Sequence, residues 1–250
     1  MLMGSRRRSI RRIAYVAASS TSLPGGQHAP RSLLLWTDQS TMPRSSTARA
    51  RLVECAGRRI HASSYAAVSV EDLCADAGVQ KGSFYYFFRS KRDLALAAVD
   101  DQWAHTRATL LEPAFAPDVA PLERIARFFR TVADRQRTDV VLGCPFGNLA
   151  AELATQDQLI RDRVRLVFAG YQTYFEQALR EAAARGDVRE TEVPGAAQAL
   201  VAYLQGALLL ARTHNDATTI NTLADHAVKL AGAPINERSP HDRHPTTARC

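Results

Sequence analysis

The residues best equipped to act on a partner lie between positions 80 and 92. Gln80, Lys81, Ser83, Tyr85 and Tyr86 crowd into one short stretch. A lysine ammonium neutralises phosphate, serine and tyrosine hydroxyls donate to phosphate oxygens, and a glutamine amide can pair with an adenine edge through two hydrogen bonds. Gly82 would let the backbone approach a strand closely. With Arg89, Lys91 and Arg92 added, the stretch holds four basic residues and no acid, the local footprint of a surface that binds a polyanion. The alternative is that the two tyrosines close a small core and that the lysines are ordinary solvated charge.

Total charge does not carry this reading. The 250-residue chain is formally +7, but residues 1–45 hold seven arginines against the single acid Asp38, leaving the remainder at +1. Other chemistries find no support. The seven histidines are scattered, with His241 and His244 in a Pro-rich tail, and no GxSxG, phosphate-loop or GxGxxG pattern occurs. No catalytic residue, metal site or cofactor is expected, and the chain reads as a non-enzyme. Four cysteines (Cys55, Cys74, Cys144, Cys250) show neither a disulfide framework nor CxxC spacing, which suits a reducing cytoplasm. The apolar run Ala199 to Ala211 is short and broken by Gln205 and Gly206, so a core helix is expected rather than a membrane span. An Arg-rich run ahead of Ile13 to Ala18 has the order of a secretory leader, but the apolar part is too short and no cleavage site follows.

Helical periodicity supplies the elements that must hold the basic stretch. Leu52, Cys55, Ala56, Arg59 and Ile60 recur at three and four, predicting a helix from Thr47 to about Ala62. Ser69 reads as an N-cap, with Glu71 and Asp72 in the first turn of a helix over 70–77 that Gly78 ends. A short helix over 80–87 follows, and Ser90 caps a long one to about Glu112. Further helices are predicted at about 121–137, 148–155, 157–185, 194–213 and 218–231. No stretch alternates with period two for long enough to propose a sheet, so the fold class is all-α. Two short helices joined by a Gly-containing turn form the helix-turn-helix arrangement that delivers side chains into the major groove. Leu73, Ala77, Phe84 and Phe88 would face inward, leaving the polar residues of 80–86 outside.

Residues 49–99 resemble the DNA-binding domain of the TetR family. The resemblance rests on Ala77-Gly78-Val79-Gln80-Lys81-Gly82-Ser83-Phe84-Tyr85-Tyr86-Phe87-Phe88-Arg89-Ser90-Lys91-Arg92-Asp93-Leu94. It implies a DNA-binding transcriptional regulator, a repressor by the family's common mode, in which Lys81, Ser83, Tyr85 and Tyr86 contact DNA while Ser69 and Lys91 anchor phosphates. Two departures stand out. Ser64 precedes Tyr65 where the family usually has glycine, implying some strain in that turn, and Phe87 replaces a residue that is often polar. It is expected either to touch a thymine methyl or to add packing.

The resemblance further implies a homodimer that reads a palindromic operator and a small-molecule effector held within each subunit. The dimer helices are expected at 194–213 and 218–231, or at 157–185, with Leu200, Val201, Leu204, Leu208 and Leu209 on the contact face; part of that face could equally be subunit core. Candidate effector contacts are Phe128, Val132, Cys144, Asn148, Phe168, Tyr171, Phe175 and Tyr203, together with Phe129, Phe146, Glu152 and Gln172. An aromatic stripe at helical spacing is also what an ordinary core looks like. Gly143-Cys144-Pro145-Phe146-Gly147-Asn148-Leu149-Ala150-Ala151-Glu152 resembles a motif of a TetR subset, some of whose members respond to electrophiles or oxidants through the cysteine. A helix N-terminus just after Cys144 would lower its thiol pKa; a small buried hydrophobe is the bland reading.

The expected organisation is a disordered basic extension over 1–45, a helix-turn-helix domain over 46–106, an effector-binding and dimerisation domain over 107–233 and a disordered tail over 234–250. Met42 is the expected translational start, with the preceding residues otherwise a basic arm.

Overall fold

The computed structural model describes residues 44–232, and side chains from 47 to 231. The expectations for the N-terminal extension, for Met42 and for the C-terminal tail lie outside these residues. Among the described residues every regular element is helical, as the periodicity predicts.

Helix α1 (Arg44–Ala62) packs against α2 (Val70–Ala77), α3 (Lys81–Phe87) and α4 (Lys91–Thr106). Leu52, Leu73, Phe84 and Leu94 are fully buried at their common centre. The local signals account for the boundaries. Ser69 Oγ accepts from the Asp72 N–H at 3.0 Å while the Asp72 carboxylate accepts from the Ser69 N–H at 3.0 Å, a reciprocal cap. Gly78 ends α2 in the left-handed region at φ 61°, where a side chain would strain the backbone. Ser90 Oγ accepts from the Asp93 N–H at 3.1 Å and starts α4.

α4 runs on through a π turn at Arg107–Leu111 into the short α5 (Glu112–Ala114). The remaining helices are α6 (Pro121–Arg135), α7 (Pro145–Leu153), α8 (Gln158–Ala184), α9 (Val193–His214) and α10 (Thr218–Gly232). They enclose a second, larger core in which Phe128, Phe129, Phe146 and Phe175 are buried. Helix α4 belongs to both cores: Leu94 and Ala98 face the small one, Ala95 and Val99 the large one.

Two expectations need correction here. Ser64 imposes no strain, because Asn215 is the sole non-glycine residue with positive φ among the described residues. Its hydroxyl instead accepts from the Ala67 N–H at 3.2 Å, closing the turn that a glycine would close by flexibility. The apolar face of 194–213 is also largely subunit core, since Leu200, Leu204, Ala207, Leu208 and Ala211 are buried between α8 and α10. The helical stretch Glu190–His214 is long and apolar enough to cross a membrane by length and composition; one stripe of it packs inside the subunit and the opposite side is exposed.

Candidate functional site

Helix α3 is anchored through Phe84, which has no exposed surface, and this aims its neighbours outward: Tyr85 is 54% and Tyr86 79% exposed. Phe84 closes the small core, so the tyrosines are not needed for it. Gln80 sits at the N-cap of α3 with an exposed, unbonded side chain, and Lys81, Gly82 and Ser83 are exposed beside it. Open space surrounds Gly82. Phe87 is half-buried and meets Tyr86 edge-on at 5.0 Å, which supports its packing role.

The basic cluster is less free than its sequence suggests. Lys81 pairs with Glu71 across the α2–α3 turn, and Arg92 lies 3.6 Å from Asp157. Lys91 donates to the Tyr65 and Val68 carbonyls, both at 2.9 Å, and its ammonium stands 4.2 Å from the centre of the Tyr65 ring. Those bonds give Lys91 a structural task, locking the α1–α2 turn against α4, in place of the phosphate anchor expected of it. Ser69 likewise spends its hydroxyl on Asp72. Arg89 alone of the four cations has no ion-pair or hydrogen-bond partner among the described residues. Two further cations come from α1. Arg49 lies over the Phe88 ring at 5.3 Å, and an Arg51 guanidinium nitrogen lies within 4 Å of the space beside Gly78. Nothing in their sequence spacing relative to α3 could have flagged them, because only folding brings α1 to the two ends of α3.

The turn after α1 is tied to the large core from the other side. The Glu152 carboxylate, from α7, accepts from the Tyr65 N–H at 2.8 Å and the Ala66 N–H at 2.7 Å. His61 Nε2 bonds the Gly143 carbonyl at 3.1 Å. Burial, followed by the field of Arg212, pulls the His61 pKa below its ordinary 6.5 despite that bond. Glu152 is thus a latch on the helix-turn-helix rather than an effector contact.

At the head of α7 is a cavity of about 150 Å³. Of the expected contacts, Phe128, Val132, Cys144, Phe146 and Tyr171 line it, joined by Leu204 and Leu208, expected on the dimer face, and by Thr106, Leu110, Arg135 and Gln136, which the sequence did not single out. Thr106 precedes the π turn and Leu110 lies within it, a feature often found where a helix is reshaped for a site. Phe175 and Phe129 are core, stacked on one another at 6.3 Å. Tyr203 packs edge-on against Phe129 at 5.8 Å, and its hydroxyl donates to the Leu223 carbonyl at 3.2 Å, holding α9 to α10. Gln172 bonds Glu176, one turn along α8. Asn148 donates to the Leu142 carbonyl at 2.9 Å and, with Phe168, lines a separate groove of about 330 Å³ between α7, α8 and α9.

Cys144 borders both hollows and caps α7, its Sγ accepting from the Gly147 N–H at 3.3 Å. Burial raises its thiol pKa and outweighs the opposing hydrogen bonds from Gly147 and Gln205. The expected thiolate is therefore disfavoured, because desolvation of the charge exceeds the help of the helix terminus. Among the described residues no cluster of three or more His, Cys, Asp or Glu side chains could hold a metal ion.

Comparison with known proteins fits this anatomy. Residues 55–98 match the family model of bacterial regulatory proteins of the tetR family, and residues 121–227 match the tetracyclin repressor-like C-terminal domain. The chain is 32% identical over 173 residues to the transcriptional regulator AcuR of Cereibacter sphaeroides, covering 68% of this chain and 78% of that one. It is 27% identical over 146 residues to the HTH-type transcriptional repressor DhaR of Mycobacterium sp. strain GP1, covering 58% and 72%. A crystal structure of a TetR transcriptional regulator from Chloroflexus aurantiacus superposes with a TM-score of 0.65 at 30% identity, covering 75% of this chain and 96% of that one. The helix-turn-helix packed against α4, the helical C-terminal core and these matches place the chain in the TetR family, as a DNA-binding regulator of transcription and not an enzyme.

Proposed function

We propose that the protein is a homodimeric repressor that leaves a palindromic operator when a small molecule occupies the cavity at the head of α7. Residues 46–106 serve as the DNA-binding domain and 107–233 as the effector-binding and dimerisation domain, acting in the cytoplasm where the DNA is. The observation that carries the reading is the outward row Gln80, Lys81, Ser83, Tyr85 and Tyr86 on a short helix held rigidly by Phe84. In the major groove Lys81 exchanges Glu71 for a phosphate, the tyrosine hydroxyls meet the backbone and Gln80 reaches a base edge. The name of DhaR supports repression.

One such helix buries too little to be specific, so two are needed, reading half-sites about 34–36 Å apart or a multiple of that. The exposed apolar face that remains after folding supports a pairing surface formed by α8 and α9. Leu166 is 60% and Leu209 63% exposed, and Ala202, Gly206 and Leu210 lie on the same outer side of α9. This differs from the expected pair of 194–213 with 218–231, because α10 presents Thr218, Asn221, Thr222, Asp225, His226 and Lys229 to solvent, with Leu230 its one exposed large apolar side chain. The segment 143–152 belongs on this reading to the subset with the Gly-Cys-Pro-x-Gly-Asn-Leu motif. It joins a cavity wall at Cys144 and Phe146 to the latch at Glu152, so a ligand that favours one placement of α7 shifts the recognition helices. Because Cys144 is held as a thiol, a non-covalent effector is preferred over an electrophile.

The test is a shift assay on the promoter region of its own gene. Lys81→Ala and Tyr85→Ala each weaken binding with thermal stability unchanged, and Lys81→Ala lowers the salt dependence by about one unit of slope. Parental affinity in both variants at moderate salt would overturn the groove assignment.

A further inference from the structure

The cavity at the head of α7 is selective in size and charge. At about 150 Å³ it is well below the range of about 300–1,000 Å³ usual for drug-sized ligands and near the size at which an apolar protein cavity admits benzene. Phe128, Val132, Phe146, Leu204 and Leu208 form its apolar wall.

Its polar groups divide into spent and unspent. The Gln136 amide is committed to the backbone of Gly143, donating to its carbonyl and accepting from its N–H, both at 3.2 Å. Tyr171 is only 5% exposed, yet its hydroxyl has no hydrogen-bond partner among the described residues, and it lines the cavity. Burial drives its pKa well above 10, so it remains a donor. The Thr106 hydroxyl is a second unspent group and Arg135, an exposed side chain at the cavity mouth, a third. One end of its guanidinium bonds the Thr109 carbonyl of the π turn, and it has no carboxylate partner among the described residues. A guanidinium presents five N–H donors in a planar fork, so one carbonyl leaves most of it available.

No acid lines this cavity. Acids gather instead in the neighbouring cleft of about 520 Å³ between α1 and α4, lined by Glu54 and Asp101 with His105. The single charge in the lining is that of Arg135, on an exposed side chain at the mouth, and the apolar wall behind it disfavours an ion without a counter-charge. An anion has one there and a cation does not.

We propose, resting on the effector reading above, that the cavity binds a small carboxylate no larger than a single ring. The acid group lies on Arg135, the body lies against the aromatic wall, and an oxygen accepts from Tyr171.

Isothermal calorimetry on the full chain with benzoate, its neutral isostere benzamide and benzylammonium tests the charge preference directly. Benzoate binds at least tenfold more tightly than benzamide, and benzylammonium does not bind. Arg135→Gln brings benzoate to within about twofold of benzamide and leaves benzamide unchanged. Tyr171→Phe weakens both while the thermal midpoint stays within a few degrees of the parent. Equal binding of acid and amide, retention of the preference in Arg135→Gln, tighter binding of benzylammonium, or no binding of benzoate at millimolar concentration would each overturn the assignment. The operator is assayed separately. Benzoate that binds without loosening DNA would refute the release reading and leave this site standing, and a neutral compound that releases DNA when benzoate does not bind would do the reverse.

Discussion

The segments 69–87 and 143–152 are each built on helices of fewer than ten residues, and each carries part of the proposed function. They are held in opposite ways. The first is closed mainly by bonds between near neighbours, Ser69 with Asp72 and Gly78 with Ala75, with one ion pair reaching back from Asp76 to Arg59 of α1 at 2.9 Å. The second draws on partners far away in the chain, with Glu152 reaching Tyr65 and Ala66 and the Gly143 carbonyl meeting His61, separations of 82 to 87 residues. A reader of DNA must keep its shape whatever the rest of the molecule does. A transmitter must feel two places at once, and long-range bonds are what allow that.

Removing the centre of the small core gives the largest effect. Phe84→Ala leaves a cavity among Leu52, Leu73 and Leu94 and is expected to cost about 3–5 kcal/mol. Chemical denaturation followed by circular dichroism should then show two phases, residues 47–90 melting before the α6–α10 core. A single transition shifted as a whole would mean that α4 welds the two cores into one cooperative unit and that the contrast drawn above is only geometric.

A smaller effect comes from the latch. Glu152→Gln keeps the shape of the side chain but leaves one acceptor oxygen for two backbone N–H groups. Charge-assisted bonds of this kind contribute about 1.5–3 kcal/mol, toward the lower end here because the site is partly solvated. Amide exchange at Tyr65 and Ala66 should accelerate, and operator affinity should respond less to an effector. Unchanged exchange at those two amides would show the bonds to be incidental.

The smallest expected change is at the local cap. Ser69→Ala removes one half of the reciprocal cap and should cost about 1 kcal/mol. Faster exchange should be confined to the first turn of α2, with Tyr65 and Ala66 as protected as in the parent. Spread of the effect to those amides would show that the two segments are not independent.

Much of the small domain was legible because its signals are local. The 70–77 helix, its Ser69 cap and its Gly78 stop agree residue for residue with the structure, since each depends on atoms three or four residues away. The α7 boundary was read later than it occurs, at 148 instead of Pro145, because a cysteine at the N-cap and a proline at the first helical position are weaker signals than serine with an acid. Among the aromatics the sequence offered no basis for separating cavity from core. Phe128 and Phe175 are both fully buried, and only the packing of α6 against α8 opens one of them to a hollow and closes the other.

From its sequence alone the chain determines its helical character, the helix-turn-helix and the outward row of α3, since residue type and short-range spacing suffice for these. Tertiary structure decided the rest. It turned Lys91 and Glu152 from candidate contacts into fasteners of one turn, buried the Cys144 thiol, brought Arg49 and Arg51 to the two ends of α3 and set Arg135 beside an unpartnered Tyr171. The physical reason is that hydrogen bonds, desolvation and charge pairing act over a few ångströms of space, and for these side chains the partners lie tens of residues away along the chain.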